Sequence, residues 1–358
     1  MKAYLTQYFF LFICLFLFNP SITKGQSEND SEESEETENR YYISYAEWIT
    51  SRFYFSQKFT AFRVNDNRQN RMYFYMPNTT LNMGIGATYS WATLNLAYGF
   101  PFLNPDRGQG DTRYLDLQAH AYPKKFVVDL FGQFYKGYYL LPEGKAQPDG
   151  DFYVRPDIAL TKLGANVQYL FNYDKFSFRA AFLQNEWQKK SAGSFLIGFE
   201  TYAGRARGDS AVIPTDFLDN PLRNYNRVRF FEIGPNLGYA YTLVIKEHFF
   251  ITAAASTNLM VGYSVQDGEF YREEQWGIVP NIIGRAFAGY NSHRWAINAN
   301  YVFNQVRLVS EQNFSNSIIT GNYRINFIYR FMPGDRLKKR LKRIRLDPDV
   351  EEELQPNQ

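Results

Sequence analysis

Residues 319–331 read ITGNYRINFIYRF. Ile319, Tyr323, Ile325, Phe327, Tyr329 and Phe331 share one parity, and Thr320, Asn322, Arg324, Asn326 and Arg330 share the other. Successive strand side chains point to opposite faces, so this stretch has one aromatic, apolar face and one polar face with two arginines. In a soluble sandwich the apolar face is the core. In an outer-membrane barrel it meets lipid and the polar face meets the lumen.

The same alternation runs back along the chain. Leu81, Met83, Ile85, Ala87 and Tyr89 alternate with Asn82, Gly84, Gly86 and Thr88. Leu163, Ala165, Val167, Tyr169 and Phe171 alternate with Gly164, Asn166 and Gln168. Leu237, Tyr239, Tyr241 and Leu243, and later Trp295, Ile297, Ala299, Tyr301 and Phe303, repeat the pattern. This is the strand template with little helical competition. The predicted strands run about 10 to 17 residues, against about 9 to 11 for a membrane strand and 5 to 6 for a soluble one.

Connections alternate too. Tight ones fall at Ser90-Trp91, Pro123–Lys125, Asn172–Lys175, Ile245–Glu247 and Asn291–Arg294, and long ones at 101–112, 141–157, 208–227, 266–277 and 306–317. Short turns at one end and long loops at the other are an outer-membrane barrel's layout. The expectation is therefore an all-β, transmembrane, antiparallel up-and-down barrel over residues 47–331. The strand count is 13, and single-chain bacterial barrels are even, so about 12 strands are expected, with 14 open. Strand directions counted from the two ends disagree between Ser194 and Arg227. Either the count is off or a segment such as Asp209–Asn226 crosses the lumen.

Composition agrees with this class. The chain has 358 residues, a net charge of +3, and 28 Tyr and 33 Phe. Such a balance gives no reason to expect nucleic acid as a partner. Residues 1–25 carry Lys2, the apolar run Tyr8–Phe18 and a short polar stretch, the pattern of a signal peptide. The only cysteine, Cys14, lies inside that run, so the mature chain is expected to hold no disulfide and no thiolate metal site. Residues 26–46 begin with QSENDSEESEETENR, seven acidic residues with nothing apolar, and read as a disordered leader. Residues 332–358 form a basic, then acidic tail, with Leu337, Leu341 and Ile344 on one stripe of a short basic helix that suits an anionic membrane surface or plain solvent.

Several stretches carry a family resemblance: PNTTLNMGIGATYSWATLNLAYGF (77–100), RYLDLQAHAYPKKFVVDLFGQFYKGYYL (113–140), FRAAFLQNEWQKKSAGSF (178–195) and EIGPNLGYAYT (232–242). Over residues 47–331 the chain resembles the domain of unknown function 4421 family of Bacteroidetes-type bacteria. That resemblance implies an outer-membrane barrel and names no activity. Tyr329 and Phe331 also look like the aromatic end of the strand signal that barrel assembly machinery reads, although 27 residues follow Phe331.

By parity Asp116, His120, Asp129, Arg179, Glu200, Glu232, Arg285, Arg324 and Arg330 are expected to line the lumen. Charges held there need partners or water. They suit either a network of ion pairs and amides that fills the lumen or a lining that selects a polar solute. No cofactor or metal motif stands out. A lipid hydrolase would need a serine within hydrogen-bond reach of His120, with Asp116 or Asp129 nearby; Ser191 and Ser194 are the candidates. Lys189 and Lys190, in QNEWQKKSAGS (184–194), would meet lipopolysaccharide phosphates if that loop were external. The leading expectation is a non-enzymatic outer-membrane barrel, either a narrow pore or transporter or a structural, partner-binding barrel. Outer-membrane lipid, the assembly machinery and an envelope protein are its expected partners. A barrel-borne lipid hydrolase and a soluble secreted β-sandwich are the alternatives.

Overall fold

The computed structural model describes residues 40–343 except 68, 91, 145–149, 215–224 and 311–313. The expected signal peptide, the acidic run and the end of the tail lie outside the described residues. In chain order the elements are β1 (Tyr42–Ser44), β2 (Ile49–Asp66), β3 (Arg71–Met76), β4 (Asn82–Tyr89), β5 (Ala92–Tyr98), β6 (Arg113–Ala121), β7 (Phe126–Leu141) and β8 (Val154–Leu170). Then come a one-turn helix α1 (Phe178–Phe182), β9 (Glu186–Gln188), β10 (Ala192–Arg207), β11 (Arg227–Ile245), β12 (Phe249–Asp267), β13 (Arg272–Asn291), β14 (Trp295–Arg307), β15 (Phe314–Phe331) and α2 (Asp335–Arg343).

Strands β2, β3, β7, β8 and β10–β15 form an antiparallel ring, closed where β15 pairs β2 from Phe314↔Asp66 to Phe331↔Ile49. The quoted stretch is therefore the closing strand. Closure leaves this ring without an edge, which is how a sheet satisfies its backbone within a membrane. Along β11 Phe231, Ile233, Leu237, Tyr239, Tyr241 and Leu243 are exposed outward, while Glu232, Asn236 and Thr242 are buried inward. Apolar outside and polar inside is the reverse of a soluble sandwich, and that alternative falls with it.

The wall changes along its height. At the loop end, β2 pairs β3 (Phe62↔Tyr75 to Asp66↔Arg71), and β3 pairs β7 (Phe74↔Leu141 to Met76↔Tyr139). Toward the turn end, β4 takes over on β2 (Thr50↔Thr88 to Ser56↔Asn82), β5 adds to β4, and β6 takes over on β7 (Arg113↔Lys136 to Ala121↔Val128). At that level the wall holds twelve strands, and at the loop end ten.

Two expectations change. The segment after Asn172–Lys175, which parity reads as a strand carrying Arg179 inward, is α1 and β9. Ser177 caps the helix, its Oγ accepting from Ala180 N at 2.9 Å, and Phe176, Phe178, Ala180 and Ala181 are buried together. That segment is the odd strand of the count. Once it is removed the strand directions agree, with β10 and β11 antiparallel neighbours. Of the connection between them, Val212, Ile213 and Tyr225 are buried in the core at the loop end, and residues 215–224 lie outside the described residues. The leader also ends sooner than residue 46: Tyr42–Ser44 pairs Glu186–Gln188, because this stretch has side chains to bury and the acidic run before it has none.

Candidate functional site

The barrel interior is built from the inward parity of the strands, where Asn, Gln and charged residues stand instead of Leu and Val. Asp129 on β7 forms an ion pair with Arg285 on β13, accepts from Asn166 Nδ2 at 3.1 Å and lies 2.7 Å from His120 Nδ1. Asn236 Nδ2 donates to Asn166 Oδ1 at 2.8 Å and to Glu200 Oε1 at 3.1 Å, and Asn258 Nδ2 donates to the other Glu200 oxygen. Glu232 accepts from Asn281 Nδ2 at 2.8 Å. Lys162 Nζ donates to Asn304 Oδ1 at 2.9 Å and to Thr320 Oγ1 at 3.0 Å, and Thr320 donates to Gln133 Oε1 at 3.2 Å. These bonds tie β7 and β8 to β13, β14 and β15 straight across the ring. A buried charge without a partner costs several kcal/mol, roughly, so the network keeps the interior stable by pairing its members.

The turn end is crossed by residues 171–191. Arg330 is fully buried and donates to Gln184 O, Ser292 O and Asn291 Oδ1, each at 2.9 Å. Arg52 reaches Leu183 O at 2.9 Å, Asn185 Nδ2 reaches Ser90 O at 3.1 Å, Arg179 Nε reaches Tyr122 O at 2.7 Å and Trp187 Nε1 reaches Glu247 O at 2.8 Å. The segment is thus anchored to β2, β15 and the turns around the rim. Phe182 lies against His120, Tyr122 and Phe287, with ring centroids 5.0 to 5.4 Å apart. Outside the wall, burial and Glu186 push the Tyr42 phenol up from its ordinary value, and Lys189 holds the Glu247 carboxyl down. At the loop end, Val309 packs on the inner face of the Gly262↔Gly277 pair, where a larger side chain would meet it, and Ser264 donates to Val309 O. Tyr75 donates to Val212 O, and Arg155 Nη1 to Ala211 O at 2.8 Å.

Between these packed regions, on the β2, β5 and β6 side, lies an open cavity of about 1220 Å³. Its walls include Arg52, Lys58, Asp116, His120 and Arg324. Asp116 accepts from Tyr135 Oη at 2.7 Å and lies 3.7 Å from Lys58 Nζ. The Arg324 guanidinium lies 4.5 Å from the Tyr54 ring centre.

Asp129, Glu200, Glu232 and Arg285 meet within the interior network, with His120 at its margin. Asp116 and Arg324 stand at the cavity, Arg179 belongs to the turn-end segment, and Arg330, on β15, holds that segment. Ser194 donates to Phe195 O and accepts from Asn172 N, and Ser191 accepts from Val244 N; neither has a hydrogen bond to His120 among the described residues. The 184–194 segment sits at the turn end, opposite the long loops. There Lys189 pairs Glu247 at 2.6 Å and stacks 3.9 Å over Trp187. Lys162 and the interior amides were missed as a group. Lys162 shares parity with Asn166 and Gln168, but its strand starts nine residues earlier than the alternating run from Leu163.

The family model described as domain of unknown function (DUF4421) matches residues 28–331. No curated protein matches the chain in sequence. Among solved structures the chain is similar to the outer membrane protease OmpT from Escherichia coli, at 7% identity and a TM-score of 0.38, over 80% of this chain and 97% of that one. It is also similar to the beta domain of the Bordetella autotransporter BrkA (11% identity, TM-score 0.33, 78% and 98% covered) and to the P. putida toluene transporter TodX (7%, 0.24, 80% and 91%).

Proposed function

We propose, for a chain that belongs to the DUF4421 family, a filled outer-membrane barrel that binds rather than conducts. The observation that carries this reading is the cross-lumen network. Asp129–Arg285, Lys162–Asn304 and Gln133–Thr320 span the ring and occupy the space a water path would need. The segment 176–188 across the turn end supports the same reading, since it is held by buried arginines rather than by solvated contacts.

In this reading the turn end faces the periplasm of a Gram-negative cell, reached through the signal peptide, and the long loops face outward. The apolar belt meets outer-membrane lipid, and assembly machinery reads the strand ending in Tyr329 and Phe331. A non-enzymatic role is the reading favoured over a serine hydrolase, since Ser191 and Ser194 are engaged by main chain and neither has a hydrogen bond to His120 among the described residues. Cell fractionation with sugar permeation into proteoliposomes tests it. The expected result is a carbonate-resistant outer-membrane protein that admits no disaccharide. Recovery in the soluble fraction, or free sugar entry, would overturn it.

A further inference from the structure

The barrel wall has a seam. β5 pairs only with β4 and β6 only with β7, and no hydrogen bond joins β5 to β6 among the described residues. The seam lies within the apolar belt of the turn-end half, where Leu94 is 66% exposed and Leu117 54%. It is closed above by the β3–β7 pairing and by the 99–112 connection, which Asn78, Asn104 and Thr112 tie to both sides: Asn78 Nδ2 donates to Gly110 O, Asn104 Oδ1 accepts from Leu81 N and Thr112 Oγ1 donates to Gly137 O. Open sheet edges facing hydrocarbon are disfavoured because lipid tails cannot satisfy N–H and C=O groups. Something other than acyl chains alone belongs there.

The cavity behind the seam says what. It is lined at the lips by Leu94, Tyr98, Leu115 and Leu117 and at its floor by Arg52, Lys58 and Arg324. Asp116, His120 and the phenols of Tyr54, Tyr98 and Tyr114 are the other titratable side chains beside these cations, and His120 is held by Asp129. Arg324 has no carboxylate partner among the described residues, and its buried Nε has no hydrogen-bond partner. A basic floor with a spare guanidinium, entered sideways between apolar lips, fits a molecule with an anionic head and acyl chains. Arginine pairs phosphate oxygens through its fork of donors.

We propose that the β5–β6 seam is a side entrance from the bilayer, and that the cavity holds the headgroup of an anionic phospholipid, its phosphate on Arg324 and its chains leaving between Leu94 and Leu117. The inference goes beyond the filled-barrel reading but rests on the barrel being in a membrane. The bilayer is the source because the seam opens within the belt, not at either mouth.

The test is native mass spectrometry of the full chain in mild detergent. Unboiled gel mobility certifies the folded barrel, so that loss of fold is separated from loss of binding. Phosphatidylglycerol, phosphatidylcholine and palmitate are offered in turn. The expected result is one phosphatidylglycerol retained, little phosphatidylcholine, and about a tenfold fall in retention for Arg324→Gln, with a smaller fall for Lys58→Gln. A diazirine-tailed phosphatidylglycerol should label residues 93–98 and 115–118. Equal retention of phosphatidylcholine, retention unchanged in folded Arg324→Gln, palmitate held in place of phosphatidylglycerol, or labelling spread evenly round the belt would overturn the proposal.

Discussion

Arg285 on β13 and Asp129 on β7 form an ion pair across the barrel, their side chains 3% and 1% exposed. The pair connects non-neighbouring parts of the wall, so it braces the ring where backbone ladders cannot. Removing one partner leaves the other charge buried. Arg285→Met is expected to destabilise the folded barrel by about 3–5 kcal/mol, and the double replacement Asp129→Leu/Arg285→Met by clearly less. Urea titration of the unboiled gel band measures both; equal losses in single and double variants would count against the brace.

Arg330 clamps the turn-end segment through three acceptors on two stretches of chain. Arg330→Ala should loosen residues 176–188 without unzipping β15, whose ladder to β2 is main chain. Proteolysis from the turn-end side is expected to cut the variant within 171–191 at least about tenfold faster than the wild type, on the scale of losing charged hydrogen bonds.

Ser177 both caps α1 and donates to Glu186, so one hydroxyl holds the helix to β9. Ser177→Ala should cost about 1–2 kcal/mol and appear as faster amide exchange at Ala180 and in β9, with the rest of the barrel unchanged.

Much of this was legible in residues. The alternation of Ile319–Phe331 and Leu237–Leu243 already separates an aromatic face from a polar one, and those strands fold as read. The turn-end segment was not, because Phe176, Phe178 and Ala180 satisfy both a period-two strand and a short buried helix. The Ser177 cap was the signal that divides them. The seam was also hidden. Leu94 and Leu117 alternate like residues of any paired strand, and whether β5 meets β6 depends on their pairing with β4 and β7, which alternation does not encode.

Gly262 faces Gly277 across β12 and β13, and Val309 fills the space they leave. Gly262→Val is expected to push residues 308–310 out of the loop end and break the Ser264–Val309 bond, while the β12–β13 ladder stays intact. Faster proteolysis near Val309, with an unshifted folded gel band, is the readout.

Ion conductance across a planar bilayer, using full-length protein whose unboiled gel mobility marks it as folded, tests the filled interior most directly. The network from Asp129 through Lys162 to Thr320 predicts silence from wild type. Steady ohmic channels from folded wild-type protein would contradict it.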